Sequence, residues 1–257
     1  MKAFLSITNA FLIIISLLFI VFFSLVFASQ TESFERKIGI VISHFNEDVQ
    51  YLDTEPFSNF EQVIYTKGDE LPKCQKCDKV IHLPNVGVCL HTYLHHIIEN
   101  YNNLHDVTIF LPGSCLDEHK KEKTMKTIGK VNETQTSVFY INDEDTKVLR
   151  DFKIDEYTTT NPKNQQKNGD KYVRLSDIRP FGQWHDAYFP GIEMGNKVNY
   201  GGIFAVSKEH IQQRSLESYK ELINQINRDK NEETGHYFER ALLSVFHPIP
   251  DTYLYKL

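Results

Sequence analysis

The sequence predicts an α/β fold: a mostly parallel central sheet flanked by helices, preceded by one transmembrane or signal helix. Three observations predict it. Short β-branched runs alternate with amphipathic stretches up to Cys115, the pattern of strands joined by helical crossovers. Those runs are apolar throughout, as strands covered on both faces are. An uncharged block, Ala10 to Ala28, stands apart from everything that follows it.

That block reads AFLIIISLLFIVFFSLVFA. At ~1.5 Å per residue, such a helix nearly crosses a hydrocarbon core of ~30 Å. It exceeds the apolar core of ~7–15 residues found in cleaved signal peptides, which favours a retained anchor. Small Ala28, after Val26 and Phe27, offers a cleavage position, so a removed signal is the alternative. Residues 1–9 then form a short cytoplasmic N-terminus, 10–28 the signal anchor or signal peptide, 29–37 a polar stem and 38–257 a lumenal domain. The expected location is a single-pass protein in the Golgi or endoplasmic reticulum membrane, or a secreted protein if the helix is cut. The membrane is the expected partner of the helix. With 41% hydrophobic and 24% charged residues, the chain has ordinary globular composition, and its net charge of −6 argues against nucleic acid as a partner.

The elements follow in order. Lys37 to Ser43 is a buried strand ending at the polar cluster His44-Phe45-Asn46-Glu47-Asp48. Gln62 to Thr66 is a second strand, closed by Lys67-Gly68, and Lys79 to Leu83 a third. From Val88 to Asn100, Cys89, Tyr93 and Ile97 repeat at spacing four beside Leu90, Leu94 and Ile98, the apolar stripe of a helix. His95 and His96 sit on that helix and read as structural. Asp106 to Leu111 is a central strand, stopped by Pro112-Gly113, and residues 117–130 are charged and helical. Ser137 to Ile141 is a short strand. Residues 150–198 show little periodicity, with a polar loop at 161–170. Tyr200 to Val206 is a strand reached through Gly201-Gly202, and Ser207 caps the helix after it. Leu216 to Arg228 and Gly235 to Phe246 are amphipathic helices, the second ended by Pro248 and Pro250.

In a parallel sheet, ligands gather at the carboxyl ends of the strands. That rule selects three polar clusters: 44–48, 112–119 and 142–145. An oxidising lumen gives Cys74, Cys77, Cys89 and Cys115 a reading as one or two structural disulfides of unspecified pairing; a redox pair or half a zinc site at Cys74-x-x-Cys77 is the alternative. Asn132-Glu133-Thr134 is a glycosylation sequon.

Several segments together carry a resemblance: His44 to Asp48, Val63 to Gly68, Leu83 to Gly87, Thr92 to Ile98, Asn100-Tyr101, Val107 to Leu111, His119, Tyr200 to Val206 and Glu239-Arg240. Across residues 38–247 their order and spacing resemble a family of uncharacterised, mainly fungal domains, some of whose members are similar to nucleotide-sugar glycosyltransferases of the GT-A type. The resemblance implies a GT-A-like fold and sugar transfer from a nucleotide-sugar donor to a glycan, protein or lipid acceptor. It implies Asn46, Glu47 and Asp48 at the nucleotide, Gly201 and Gly202 near the phosphates or acceptor, and Glu239 as the base for the acceptor hydroxyl. His119 and Trp184 are further substrate-binding candidates, Trp184 as a face on which a sugar or base stacks.

Enzymes of that type hold Mg²⁺ or Mn²⁺ on the diphosphate with an Asp-x-Asp. Here Leu111 is followed by Pro112-Gly113-Ser114, without the pair. Asp143-Glu144-Asp145 matches it literally, making Asp143 and Asp145 the metal candidates; metal-independent transfer, with Lys or Arg on the phosphates, is the alternative. The alternative function is a non-catalytic lumenal or extracellular domain that keeps the fold and binds carbohydrate or protein.

Overall fold

The computed structural model describes residues 36–155 and 172–257. The expected helix at 10–28, the N-terminus before it, stem residues 29–35 and the polar loop at 161–170 lie outside the described residues. Among the described residues, no helix is long and apolar enough to cross a membrane. Arg36 to Leu257 forms one unit.

Strand β1 (Ile38–His44) lies at the centre of that unit. It pairs in parallel with β2 (Glu61–Thr66) on one side and with β4 (Val107–Pro112) on the other. Outside β2 runs β3 (Lys79–His82), also parallel, and outside β4 runs β8 (Phe204–Ser207), antiparallel. Among the described residues the central sheet therefore reads β3-β2-β1-β4-β8. His44 pairs with Thr66 and Ser43 with Pro112, so the carboxyl ends of β1, β2 and β4 finish level.

The apolar runs of β1, β2 and β4 reflect cover on both faces, while β3 at the edge is largely exposed. Val41, Tyr65, Phe110 and Phe204 face one core with Leu90, Tyr93, Leu94 and Ile97 of helix α1 (Val88–Asn100). Ile40, Ile42, Ile64, Ile109 and Leu111 face the other with Ile128 and Val131 of α2 (Glu118–Thr134), and with Leu52 and Phe57 from two short 3-10 turns. Burying strands on both faces removes them from water and gives each face its own hydrophobic cluster.

The later part departs from expectation in several places. The strand at 137–141 shrinks to β5 (Phe139–Tyr140), paired with β9 (Leu254–Tyr255), while Val138 bridges Ala205. The 142–145 cluster starts in a two-residue ribbon, β6 (Asn142–Asp143) on β7 (Lys197–Val198), and continues into α3 (Thr146–Arg150); it does not end a strand of the central sheet. The aperiodic region hides α4 (Phe181–Tyr188), whose Phe181, Trp184 and His185 are buried; Pro180 and Pro190 confine it to a length that barely shows a period.

Ser207 does cap the next helix, α5 (Lys208–Ile211), accepting from the His210 amide. After it, α6 (Leu216–Ile223) stops short of Arg228. The last expected helix is two, α7 (Glu233–Arg240) and α8 (Leu242–Val245), parted at Ala241.

Candidate functional site

A hollow of about 570 Å³ opens at the level carboxyl ends of β1, β2 and β4. This is the point where the chain, having laid β2 and β3 to one side of β1, crosses to lay β4 on the other, and open α/β sheets leave a crevice there. The turn after β1 contributes Asn46 and Glu47, the end of β2 contributes Lys67, and Ser114 follows β4. Val88 and Cys89, opening α1, form another wall, and Lys230 and Asn231 come from between α6 and α7.

Local chemistry sets each wall. Asn46 is left-handed, φ 58°, and its Oδ1 accepts from the Glu70 amide at 3.1 Å; Gly68 lies so close that a Cβ there would meet this oxygen at 1.9 Å. Glu47 accepts from the Phe45 amide, and the His44 ring is fixed between Thr66 Oγ1 at 2.9 Å and the Glu47 carbonyl at 3.0 Å. Lys67 is buried and donates from Nζ to the carbonyls of Val86, at 2.6 Å, and Val88. Burial pushes its ammonium down to about 7. Helix α1 begins on two left-handed residues, Gly87 at φ 57° and Val88 at φ 44°, with no side chain capping its amides. A β-branched residue at positive φ is a strained outlier of the kind found at binding sites. Glu232, buried, holds the amides of Arg228 and Asp229 at 2.7 and 2.9 Å, and so fixes the turn that delivers Lys230.

Behind Cys89 stand the other expected residues. A Cβ on Gly202 would lie 2.6 Å from Cys89 Sγ, and the Gly202 carbonyl accepts from Tyr93 Oη at 2.9 Å. Glu239 Oε1 accepts from the Gly201 amide at 3.2 Å. Lys123 donates to the Tyr200 carbonyl at 2.6 Å, and burial lowers its ammonium to about 8. Lys120 donates to Ser114 Oγ at 2.8 Å. Burial raises the Cys89 thiol to about 11, an effect that Glu239 reinforces and that Lys120 and Lys67 oppose.

Asn46 and Glu47 thus line the hollow, whereas Gly201, Gly202 and Glu239 lie outside the lining, Gly202 against Cys89 and Glu239 bonded to Gly201. Asp48 is outside it too: it turns back to accept from the Gln50 amide at 2.9 Å. His119 is exposed in the first turn of α2, outside the lining. Trp184 is no stacking platform: it is fully buried, packed among Phe181, Tyr188, Phe189, Tyr237 and Phe238. The metal candidates are otherwise engaged, Asp143 by Lys256 and Asp145 by the Val148 amide, which it caps at 2.9 Å. Among the described residues, no three His, Cys, Asp or Glu side chains form a group able to hold a metal ion.

The cysteines hold one disulfide, as expected: Cys74 and Cys77 are joined to each other, which removes the zinc alternative, while Cys89 and Cys115 are free. The central sheet separates that second pair, since Cys115 belongs to the core on one face and Cys89 packs on the other. Asn132 is exposed in the last turns of α2.

Sequence reasoning missed Lys67, Lys120, Lys230 and the strained opening of α1 as site features. Lys67 carried a signal, since it directly follows a strand whose carboxyl end the crevice rule selects. Lys230 carried none. A sequence profile described as "Protein of unknown function (DUF3431)" matches residues 40–251. No curated protein matches the chain.

Proposed function

The chain belongs to the DUF3431 family, and from the hollow its fold builds we propose that it is a membrane-anchored, glycosyltransferase-like protein of the secretory pathway. Residues 10–28 anchor it, Asn132 carries a glycan on the lumenal side, and the domain has the GT-A arrangement. The hollow takes a nucleotide-sugar donor. The acceptor hydroxyl oxygen attacks the anomeric carbon, the bond from that carbon to the diphosphate breaks, and Glu239 accepts the hydroxyl proton. The nucleoside diphosphate leaves.

One observation carries this reading: Asn46, Lys67, Cys89 and Ser114 converge at the crevice beside β1. Its volume is in the range of pockets that enclose small organic ligands. The full-length chain in detergent tests it. A uridine or guanosine diphosphate sugar at a hundredfold excess over Kd should stabilise the domain by about 2.7 kcal/mol, a rise of several degrees in Tm. If no such sugar moves Tm, with or without Mn²⁺, the donor site is lost.

A second reading, a non-catalytic domain that binds carbohydrate or protein, is favoured by the bond that already ties Glu239 to Gly201. Binding without turnover selects it. If transfer is detected, Glu239→Gln should abolish it and leave Tm unchanged.

A further inference from the structure

The donor set at the hollow disagrees with the divalent metal that a GT-A fold implies. Mg²⁺ and Mn²⁺ want carboxylate and other hard oxygen ligands in near-octahedral number. The lining offers one carboxylate, Glu47, which accepts from the Phe45 amide. Asp143 and Asp145 are spent on Lys256 and on the cap of α3.

Positive groups are what the lining supplies. Lys67 and Lys230 line the hollow, and Lys120 reaches its edge through Ser114. The ammonium of Lys67 has three N–H groups and gives two to the Val86 and Val88 carbonyls, leaving one for a ligand. The thirteen-residue helix α1 starts at the same wall without a side-chain cap, its positive end facing where Val88 and Cys89 line the space.

We propose that this hollow binds the diphosphate of its ligand without a metal ion, with Lys67, Lys120, Lys230 and the amides opening α1 taking the charge that a cation takes elsewhere. The proposal rests on the preceding reading for the identity of the ligand as a nucleotide sugar, but the anion site stands apart from it. Charge-assisted contacts of this kind act on the leaving diphosphate as its charge develops, which is where they accelerate transfer. Lys67 fits the task because a buried ammonium held between two carbonyls is already placed and desolvated. Its titratable neighbours, Cys89, His91 and His95, all lie on α1, and an arriving phosphate favours the charged form that burial disfavours.

Titration calorimetry of the full-length chain with inorganic pyrophosphate, uridine diphosphate and a uridine diphosphate sugar, in chelator and then in Mn²⁺, is the test. The expected result is binding of all three in chelator, with affinity unchanged by Mn²⁺. Lys120→Ala and Lys230→Ala, both at positions that avoid the core, should each weaken pyrophosphate roughly tenfold, the loss expected for one charge-assisted bond. Binding that appears only with Mn²⁺, or lysine variants that bind like the parent, overturns the metal-free site while leaving the donor reading intact. Pyrophosphate bound in chelator with no affinity for the nucleotide or its sugar keeps the anion site and removes the donor reading. No binding in either medium removes both.

Discussion

His96 and His91 give α1 its sensitivity to acid. His96 Nδ1 lies 3.0 Å from Tyr65 Oη, and burial holds its imidazole down to about 3; His91 is held down to about 4 by burial and by Lys67. In the unfolded chain both protonate near 6.5. Between about 6.5 and 4 the unfolded state therefore binds more protons than the folded one, and stability falls as pH falls through that window. Each histidine contributes up to ~1.4 kcal/mol per pH unit. Urea unfolding at successive pH values should show this slope, and His96→Gln should flatten it; a slope unchanged in that variant would mean that the His96 imidazole is not forced to stay neutral. Residue chemistry of this sort was partly open to sequence reading. His95 and His96 read as structural from their place beside apolar residues, and both rings pack edge-on against Tyr65. Trp184 misled, because an isolated tryptophan in an aperiodic stretch looks the same whether it faces a sugar or five aromatic neighbours.

At the scale of elements, the opening of α1 is the most constrained piece. Gly87 donates its amide to the Asp229 carbonyl at 2.8 Å, and a Cβ there would lie 1.9 Å from the Ile226 carbonyl oxygen. Gly87→Ala meets both a left-handed backbone and a backbone atom that cannot step aside. It should cost at least about 2 kcal/mol, measured by urea unfolding, and should weaken any ligand of the hollow, because Val88, Cys89 and Lys230 move with it. A loss below about 0.5 kcal/mol would show that the turn relaxes freely. The limits of α1, Val88 and Asn100, are those its spacing-four stripe predicts. The split of the last helix at Ala241 had no such signal. The apolar period runs on through Leu242 and Val245, both buried in the same core as α7.

Across the whole molecule, Glu233 ties the irregular region to the helical side of the core. Its fully buried carboxylate accepts from the amides of Ile154 at 3.0 Å and Ser176 at 2.9 Å, and from Tyr237 Oη at 2.7 Å; Arg179 Nε stands 2.8 Å from Oε2. Three stretches remote along the chain meet at one charge. Glu233→Ala leaves Arg179 Nε, the buried Ser176 amide and the half-buried Ile154 amide without this acceptor, though Arg179 keeps Asp155, and should cost about 3 kcal/mol in urea unfolding. A cost under about 1 kcal/mol would show that water replaces the carboxylate there.

The sequence by itself determined the α/β class, the parallel strands and the rim that their carboxyl ends form, because burial on both faces writes an apolar run into β1, β2 and β4. It also marked Asn46, Gly201, Gly202 and Glu239, through a resemblance of ordered segments. Only the tertiary structure decided that Gly202 stands against Cys89 in the wall of the hollow, that Cys74 and Cys77 close on each other, and that the hollow is lined by lysines. These are relations between side chains far apart in the chain, fixed by packing across the sheet and by buried carboxylates such as Glu232 that set a turn. No local period records where such a turn comes to rest.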